Sequence, residues 1–188
     1  MALFLTSRRL RIEPLAEHDV AAFVSYRRDP EVARWQGWGL DYGEQQARAL
    51  VLVQSGWSLP PPGEWLQLAV RPLSGAGLLG DVAVQRREDQ PDTFEIGCTL
   101  ARSSQGQGIA SEAVGCVLTH LVVDAGAHRV IASCDARNTA SAALLRRVGM
   151  RHEAHEVEAD FFRGEWTTVD RFAVLGAEIR RRSLMGRT

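Results

Sequence analysis

Arg102-Ser103-Ser104-Gln105-Gly106-Gln107-Gly108-Ile109-Ala110-Ser111-Glu112-Ala113 joins two runs of different periodicity. Before it, Phe94 to Leu100 is apolar and strand-like. After it, Ala110, Ala113, Val114, Val117, Leu118, Leu121 and Val122 share the three-or-four spacing of one helix face. Two glycines therefore sit where a strand hands over to a helix. There the first backbone N–H groups of the helix have no intrahelical partner, and the dipole end is positive. Glycine has no Cβ to keep a ligand away from the backbone. The stretch reads as an anion site suited to phosphate or pyrophosphate, or else as a tight turn that needs glycine.

Two familiar phosphate motifs do not fit. A P-loop needs a lysine after its second glycine, and the chain has none: its 22 basic residues are all arginine. A dinucleotide fingerprint needs a third glycine and an acid about 20 residues on, at the end of a second strand. Three residues after Gly108 stands Ser111, and no such acid follows.

At 188 residues and 45% hydrophobic, the chain has the size and composition of one domain over 1–188, with a core from about 8 to 176 and a polar tail over 177–188. A net charge of −1 provides no bulk field for nucleic acid or an anionic membrane, and the apolar runs are too short for a membrane span. Met1 to Arg9 places its charge after its apolar stretch, the reverse of a signal peptide; a cytoplasmic protein is expected. Cys98, Cys116 and Cys134 are odd in number and widely spaced, which suits core thiols rather than a disulfide frame or metal motif. His152 and His155, three apart on a strand, face opposite sides by simple alternation, so no metal site is expected.

In chain order, Leu10 to Pro14 reads as a strand and Glu17 to Arg28 as a helix; Asp29-Pro30 then caps a new turn. Trp35 and Trp38 bracket Gly37 before a helix over Tyr42 to Gln54. Strands follow at Glu64 to Val70, through Val82 and Val84, and at Phe94 to Leu100. After the glycine loop and its helix come a strand (Arg129 to Cys134), a helix (Asn138 to Val148) and two closing strands (His152 to Ala159, Trp166 to Leu175). The order β-α-α-β-β-β-α-β-α-β-β requires a mixed sheet of about seven strands: hairpins join the early strands, and a helix crossover follows the fourth.

Gln105-x-x-Gly108-x-Ala110 resembles the Gln/Arg-x-x-Gly-x-Gly/Ala signature of the GNAT N-acetyltransferases. Further segments resemble the branch that contains the ribosomal-protein N-terminal alanine acetyltransferases: Leu10 to Leu15 with Asp29-Pro30-Glu31-Val32, Glu95-Ile96-Gly97 with Ala110 to Ala113, Asn138 to Met150, and the closing segments Phe162 to Trp166 and Phe172 to Leu175. The resemblance covers most of residues 8 to 175. It implies an α/β (α+β) GNAT fold, with helices on both faces and the sheet splayed between its fourth and fifth predicted strands. It also implies acetyl-CoA as co-substrate and acetyl transfer to a primary amine, either a protein N-terminus or a small molecule.

By that resemblance, the amides of Gln105, Gly106, Gln107, Gly108, Ile109 and Ala110 bind pyrophosphate, and the backbone of Thr99, Leu100 and Ala101 pairs with the pantetheine arm. Asn138 and Ser141 contact the chain near the thioester. On sequence alone Asn138 reads first as a helix cap, and Ser141 equally as a solvated first-turn residue. Acetyl transfer needs a neutral amine, a base to take its proton and a donor for the leaving thiolate. Glu95 is the first candidate base, ahead of Asp92, Glu112 and His155. Ser141 is the candidate donor, because Leu145 stands where many family members carry a tyrosine acid. Thr168 replaces a frequent aspartate and Cys98 a frequent aromatic. Trp35 and Trp38 are candidate walls of the acceptor pocket. A non-catalytic acyl-CoA-binding module is the rival reading. The sequence leaves the oligomeric state, a homodimer included, open.

Overall fold

The computed structural model describes residues 3–185; Met1, Ala2 and the last residues of the predicted tail, 186–188, lie outside the described residues. One open sheet runs in the order β1-β2-β3-β4-β5-β6-β8-β7. Its strands are β1 (Leu5–Thr6), β2 (Leu10–Pro14), β3 (Trp65–Pro72), β4 (Gly80–Arg86), β5 (Thr93–Leu100), β6 (Arg129–Asp135), β7 (Arg151–Phe162) and β8 (Glu165–Leu175). The sheet has eight strands where the sequence suggests about seven. The extra one, β1, is two residues long and pairs with Arg11 and Ile12; a strand that short carries no readable alternation.

Every neighbouring pair is antiparallel except β5 and β6. Those two pair only through Thr93↔Arg129, Phe94↔Val130 and Glu95↔Ile131. Beyond Glu95 they part, which is the splay expected between the fourth and fifth predicted strands.

The helices cover both faces. On one face, α4 (Ile109–Val123) lays Ala113, Val114, Val117, Leu118 and Leu121 on Ile12, Leu68, Val82, Val84 and Phe94. That is the stripe whose spacing the sequence displays. The same cluster takes in Leu145 of α5 (Thr139–Arg147) and Ile179 of α6 (Gly176–Met185). On the other face, α1 (Val20–Arg27), α2 (Pro30–Ala33) and α3 (Glu44–Val53) bury Val20, Phe23, Val32 and Ala47 against Ala69.

The stretch read as the start of a polar tail is a helix. Ile179 is buried. Glu178 accepts from the Leu175 N–H at 2.8 Å, and Arg180 donates to the Val122 carbonyl at the C-terminal end of α4 at 3.2 Å. A guanidinium is favoured at a helix C-terminus, where carbonyls lack partners. The polar residues that suggested a tail are those that dock this helix.

Candidate active site

Gly108 is the N-cap of α4, with φ +74°, and Gly106 shares that left-handed angle. The first bond of the helix is Glu112 N–H to Gly108 C=O, at 3.1 Å. The N–H groups of Ile109, Ala110 and Ser111 therefore precede the ladder and point out of the helix end. Side chains brace the loop from behind. Gln105 donates to the Leu100 carbonyl at 3.1 Å, Gln107 to the Ser103 carbonyl at 2.8 Å, and Arg9 to the Gln107 carbonyl at 3.2 Å.

Arg9 also pairs with Glu112 at 2.6 Å, and Ser7 donates to the same carboxylate at 2.8 Å. Partial burial pushes Glu112 up, but the bonds from Arg9 and Ser7 outweigh it and hold its carboxyl below the usual range. Glu112 is thus an anchor for the N-terminal strands, unsuited to be a base. A carboxyl held low in the fold contributes stability above the ordinary carboxylate range and loses it as pH falls through that range. Glu112→Gln is expected to cost about 0.5–1 kcal/mol at neutral pH, and progressively less as pH falls below the ordinary carboxylate range. Urea midpoints at neutral and at acid pH check this.

The loop opens into a cavity of about 1020 Å³. Its wall follows β5 through Cys98, Thr99 and Leu100, then Gln105, Gly106 and Gly108 to Ser111, and α5 through Asn138, Ser141, Leu144 and Arg147. Glu31, Val32, Trp35 and Gln36 close the far side. The cavity lies where β5 and β6 part, so backbone groups line it. Thr93 O accepts from Arg87 N, and Ala101 N donates to Leu79 O, both bonds directed toward β4. Along a strand these groups alternate between edges. The N–H and C=O of Cys98 and the N–H of Leu100 thus face the open gap, while the Leu100 carbonyl accepts from Gln105. Ala101, a predicted contact, has its N–H spent on β4 and does not line the cavity.

Asn138 caps α5, its Oδ1 accepting from Ser141 N at 3.1 Å. Its Nδ2 remains a donor, so the two readings of Asn138 use different atoms. Leu145 is buried in the core and Leu144 lines the cavity in its place; neither can donate a proton. Thr168 Oγ1 accepts from Glu158 N at 3.4 Å within the hairpin.

The two tryptophans separate. Trp35 lines the cavity, with the guanidinium of Arg34 at 4.7 Å from its ring and that of Arg137 at 5.8 Å. Trp38 does not; it donates to the Arg27 carbonyl at 3.1 Å and lies 3.8 Å beneath the Arg27 guanidinium, a packing role. Glu95 also stands outside the lining. It sits at the last rung before the splay, on the face opposite Phe94 and Ile96. Arg87 donates to its Oε2 at 3.1 Å and Ser133 to its Oε1 at 3.3 Å.

Residues 9–151 match the family described as Acetyltransferase (GNAT) domain. The chain belongs to the GNAT acetyltransferase family. It is similar to YnaD of Bacillus subtilis, an uncharacterized N-acetyltransferase, at 26% identity over 94% of this chain and 99% of that one. It is 30% identical to the ribosomal-protein-serine acetyltransferase of Escherichia coli over 51% of this chain and 54% of that one. Among solved structures, spermidine N-acetyltransferase from Vibrio cholerae, in complex with CoA and spermine, superposes with a TM-score of 0.80 at 16% identity. The match covers 93% of this chain and 99% of that one; at that identity the likeness shows the fold alone. The chain is an acetyltransferase with the GNAT fold.

In this GNAT chain the sequence reading missed three arginines, which have no local signature. Arg102 grips Asp29, the cap of α2, through bonds of 2.7–2.9 Å, and also lines the cavity. Arg147 lines it beside Ser111, to whose Oγ it donates at 3.4 Å. Arg163, at the β7–β8 turn, donates to the carbonyls of Ala33, Gln36 and Trp38 at 2.9–3.2 Å. It ties the hairpin tip to the Trp35 segment. Among the described residues no helix is long and apolar enough to cross a membrane.

One expectation fails on geometry. His152 and His155 do not face opposite sides: both reach Asp170 Oδ1, His152 Nε2 at 3.0 Å and His155 Nδ1 at 2.7 Å. The β7–β8 register slips between His152 and Ala154, so Glu153 is an extra residue. A bulge of this kind resets the alternation.

Proposed function

We propose that this enzyme transfers the acetyl group of acetyl-CoA to a primary amine by direct attack in the gap between β5 and β6. The observation that carries the reading is one continuous cavity from the amides at the N-terminus of α4 to the Trp35 side of the sheet. Gly106, Gly108, Ile109 and Ala110 present those amides to a pyrophosphate, with Arg102 and Arg147 as flanking cations. Leu100 and Cys98 offer the open strand edge to the pantetheine amides. Asn138 Nδ2 orients the thioester, and Ser141 Oγ, one turn away and on the same wall, gives the leaving thiolate a hydrogen bond. The acceptor, a small amine or a protein N-terminus, enters beside Trp35.

Direct attack is favoured over an acyl-cysteine route by Cys98, which lines the cavity. Burial first, and then the charge of Asp81, push its thiol up to about 12. It stays protonated at neutral pH and is a poor nucleophile. Glu95, on the last rung before the splay, takes the amine proton through water. Much of the rate enhancement comes from holding amine and thioester together.

The test is mass spectrometry of the protein with acetyl-CoA and a panel of peptides and small amines. An acetylated product is expected. Bound acetyl-CoA with no product across a broad panel would favour a binding module and overturn the reading. In the same assay, Glu95→Gln is expected to lower kcat about 100-fold, the low end of what a general base contributes. Acetyl-CoA affinity should hold, because Glu95 does not line the cavity. An unchanged kcat removes Glu95 from the mechanism.

A further inference from the structure

We propose that His152, His155 and Asp170 form a binding site for one divalent transition-metal ion of the zinc or cobalt type. Two ring nitrogens and one carboxylate oxygen from these residues lie within 4.8 Å of one another. Two of the three separations are already 3.0 and 2.7 Å. An ion bonded at about 2.0–2.2 Å to nitrogen and oxygen ligands needs donor atoms a little over 3 Å apart. Only the gap between the two rings must close, and the His155 side chain, 55% exposed, is free to swing. Nitrogen and oxygen donors in a two-histidine, one-carboxylate set suit borderline ions rather than calcium or magnesium.

The sheet builds this convergence. His152 stands opposite Phe172 on β8, and His155 opposite Asp170. The two histidines are three apart on their own strand, yet their partners are two apart on β8 and share one face. The bulge at Glu153 is what converts three into two. The His152 ring lies 5.0 Å from the Phe172 ring, which sets its orientation. Asp170 is buried and its strand is internal to the sheet, so the carboxylate is the fixed member of the set. Its Oδ1 accepts from both rings, so the one carboxylate oxygen already faces both histidines. On ion binding, each histidine turns the lone pair of that ring nitrogen to the ion, its proton moving to the other ring nitrogen of a neutral ring or leaving a charged one for solvent. Three protein ligands leave a further position for water or another ligand. None of the three lines the acetyl-CoA cavity, so this site stands apart from the proposed reaction.

The test uses the full chain without a histidine tag, stripped with chelator. It is titrated with Co²⁺ by visible absorption and with Zn²⁺ by calorimetry. One ion per chain is expected, with the d–d bands of a four- or five-coordinate cobalt. Affinity should fall on acidification, because protons compete with the ion for the same ligand atoms. His155→Ala, on an exposed ring, is expected to weaken binding at least tenfold, and His152→Ala with His155→Ala to abolish it. Acetyl-CoA affinity, unchanged in these variants, shows that they are folded. No saturable binding to the wild-type chain overturns the proposal, as does full binding by the double variant.

Discussion

Gly108→Val is expected to weaken acetyl-CoA binding by at least about 100-fold, or some 2.7 kcal/mol, while the chain still folds. Two costs combine. The left-handed angle of Gly108, φ +74°, costs an L-residue about 1–2 kcal/mol, and a β-branched one more. If the backbone yields to relieve that strain, the amides of Gly108, Ile109 and Ala110 no longer converge. If it does not, the isopropyl group crowds Arg9, whose guanidinium holds the Gln107 carbonyl, and displaces that brace of the loop. Calorimetry with acetyl-CoA measures the effect. Gly106→Ala separates the two costs, because Gly106 has the same φ and a Cβ there would meet no atom within 4 Å. Its loss should reflect strain alone and be smaller. At Gly108 a Cβ lies 3.5 Å from Arg9 Nη2, an ordinary contact, so the core is not disrupted. Unchanged acetyl-CoA affinity in Gly108→Val would remove the anion-site assignment.

That loop was legible in the sequence because its signals are local. Two glycines, a strand before and a periodic helix after suffice to place amides at a helix end. The apolar stripe of α4 and the caps at Asp29 and Asn138 are local in the same sense. What stayed hidden depends on distant partners. Trp35 and Trp38 look alike in sequence, yet only Trp35 lines the cavity, because Arg27 of α1 claims Trp38. Glu95 sits at the splay, but its pairing with Arg87 and Ser133 comes from neighbouring strands. Arg163 reaches a segment some 125 residues away. A single extra residue, Glu153, turned two histidines expected on opposite faces into neighbours. The start of the predicted tail, 177–182, looked like one because its arginines are polar, and in the fold those polar groups are the contacts.

Arg71 is a larger example of the same thing, and it carries the largest expected effect on stability. In sequence it directly follows the strand read at Glu64 to Val70, as a strand-end charge would. In the fold its side chain is 1% exposed, and so is that of Asp19, with which it forms a salt bridge. Glu13 Oε1 lies 2.8 Å from Arg71 Nε, and the Ala76 carbonyl accepts from Nη1 at 3.1 Å. Asp19 also accepts from Ala16 N at 2.9 Å, just before α1. The guanidinium thus fastens the start of α1 to the sheet. Removing one partner leaves a buried charge unpaired, which costs about 3–5 kcal/mol. Arg71→Met should therefore lower Tm by roughly 6–20 °C for a chain of this size. Replacing both, Arg71→Met with Asp19→Leu, removes the stranded charge and should recover most of the loss. The pair lies outside the cavity lining, so acetyl-CoA affinity at low temperature should be unchanged in both variants. A loss below about 1 kcal/mol in Arg71→Met, the worth of a surface ion pair, would mean that water reaches Asp19 and that the clamp does not hold α1.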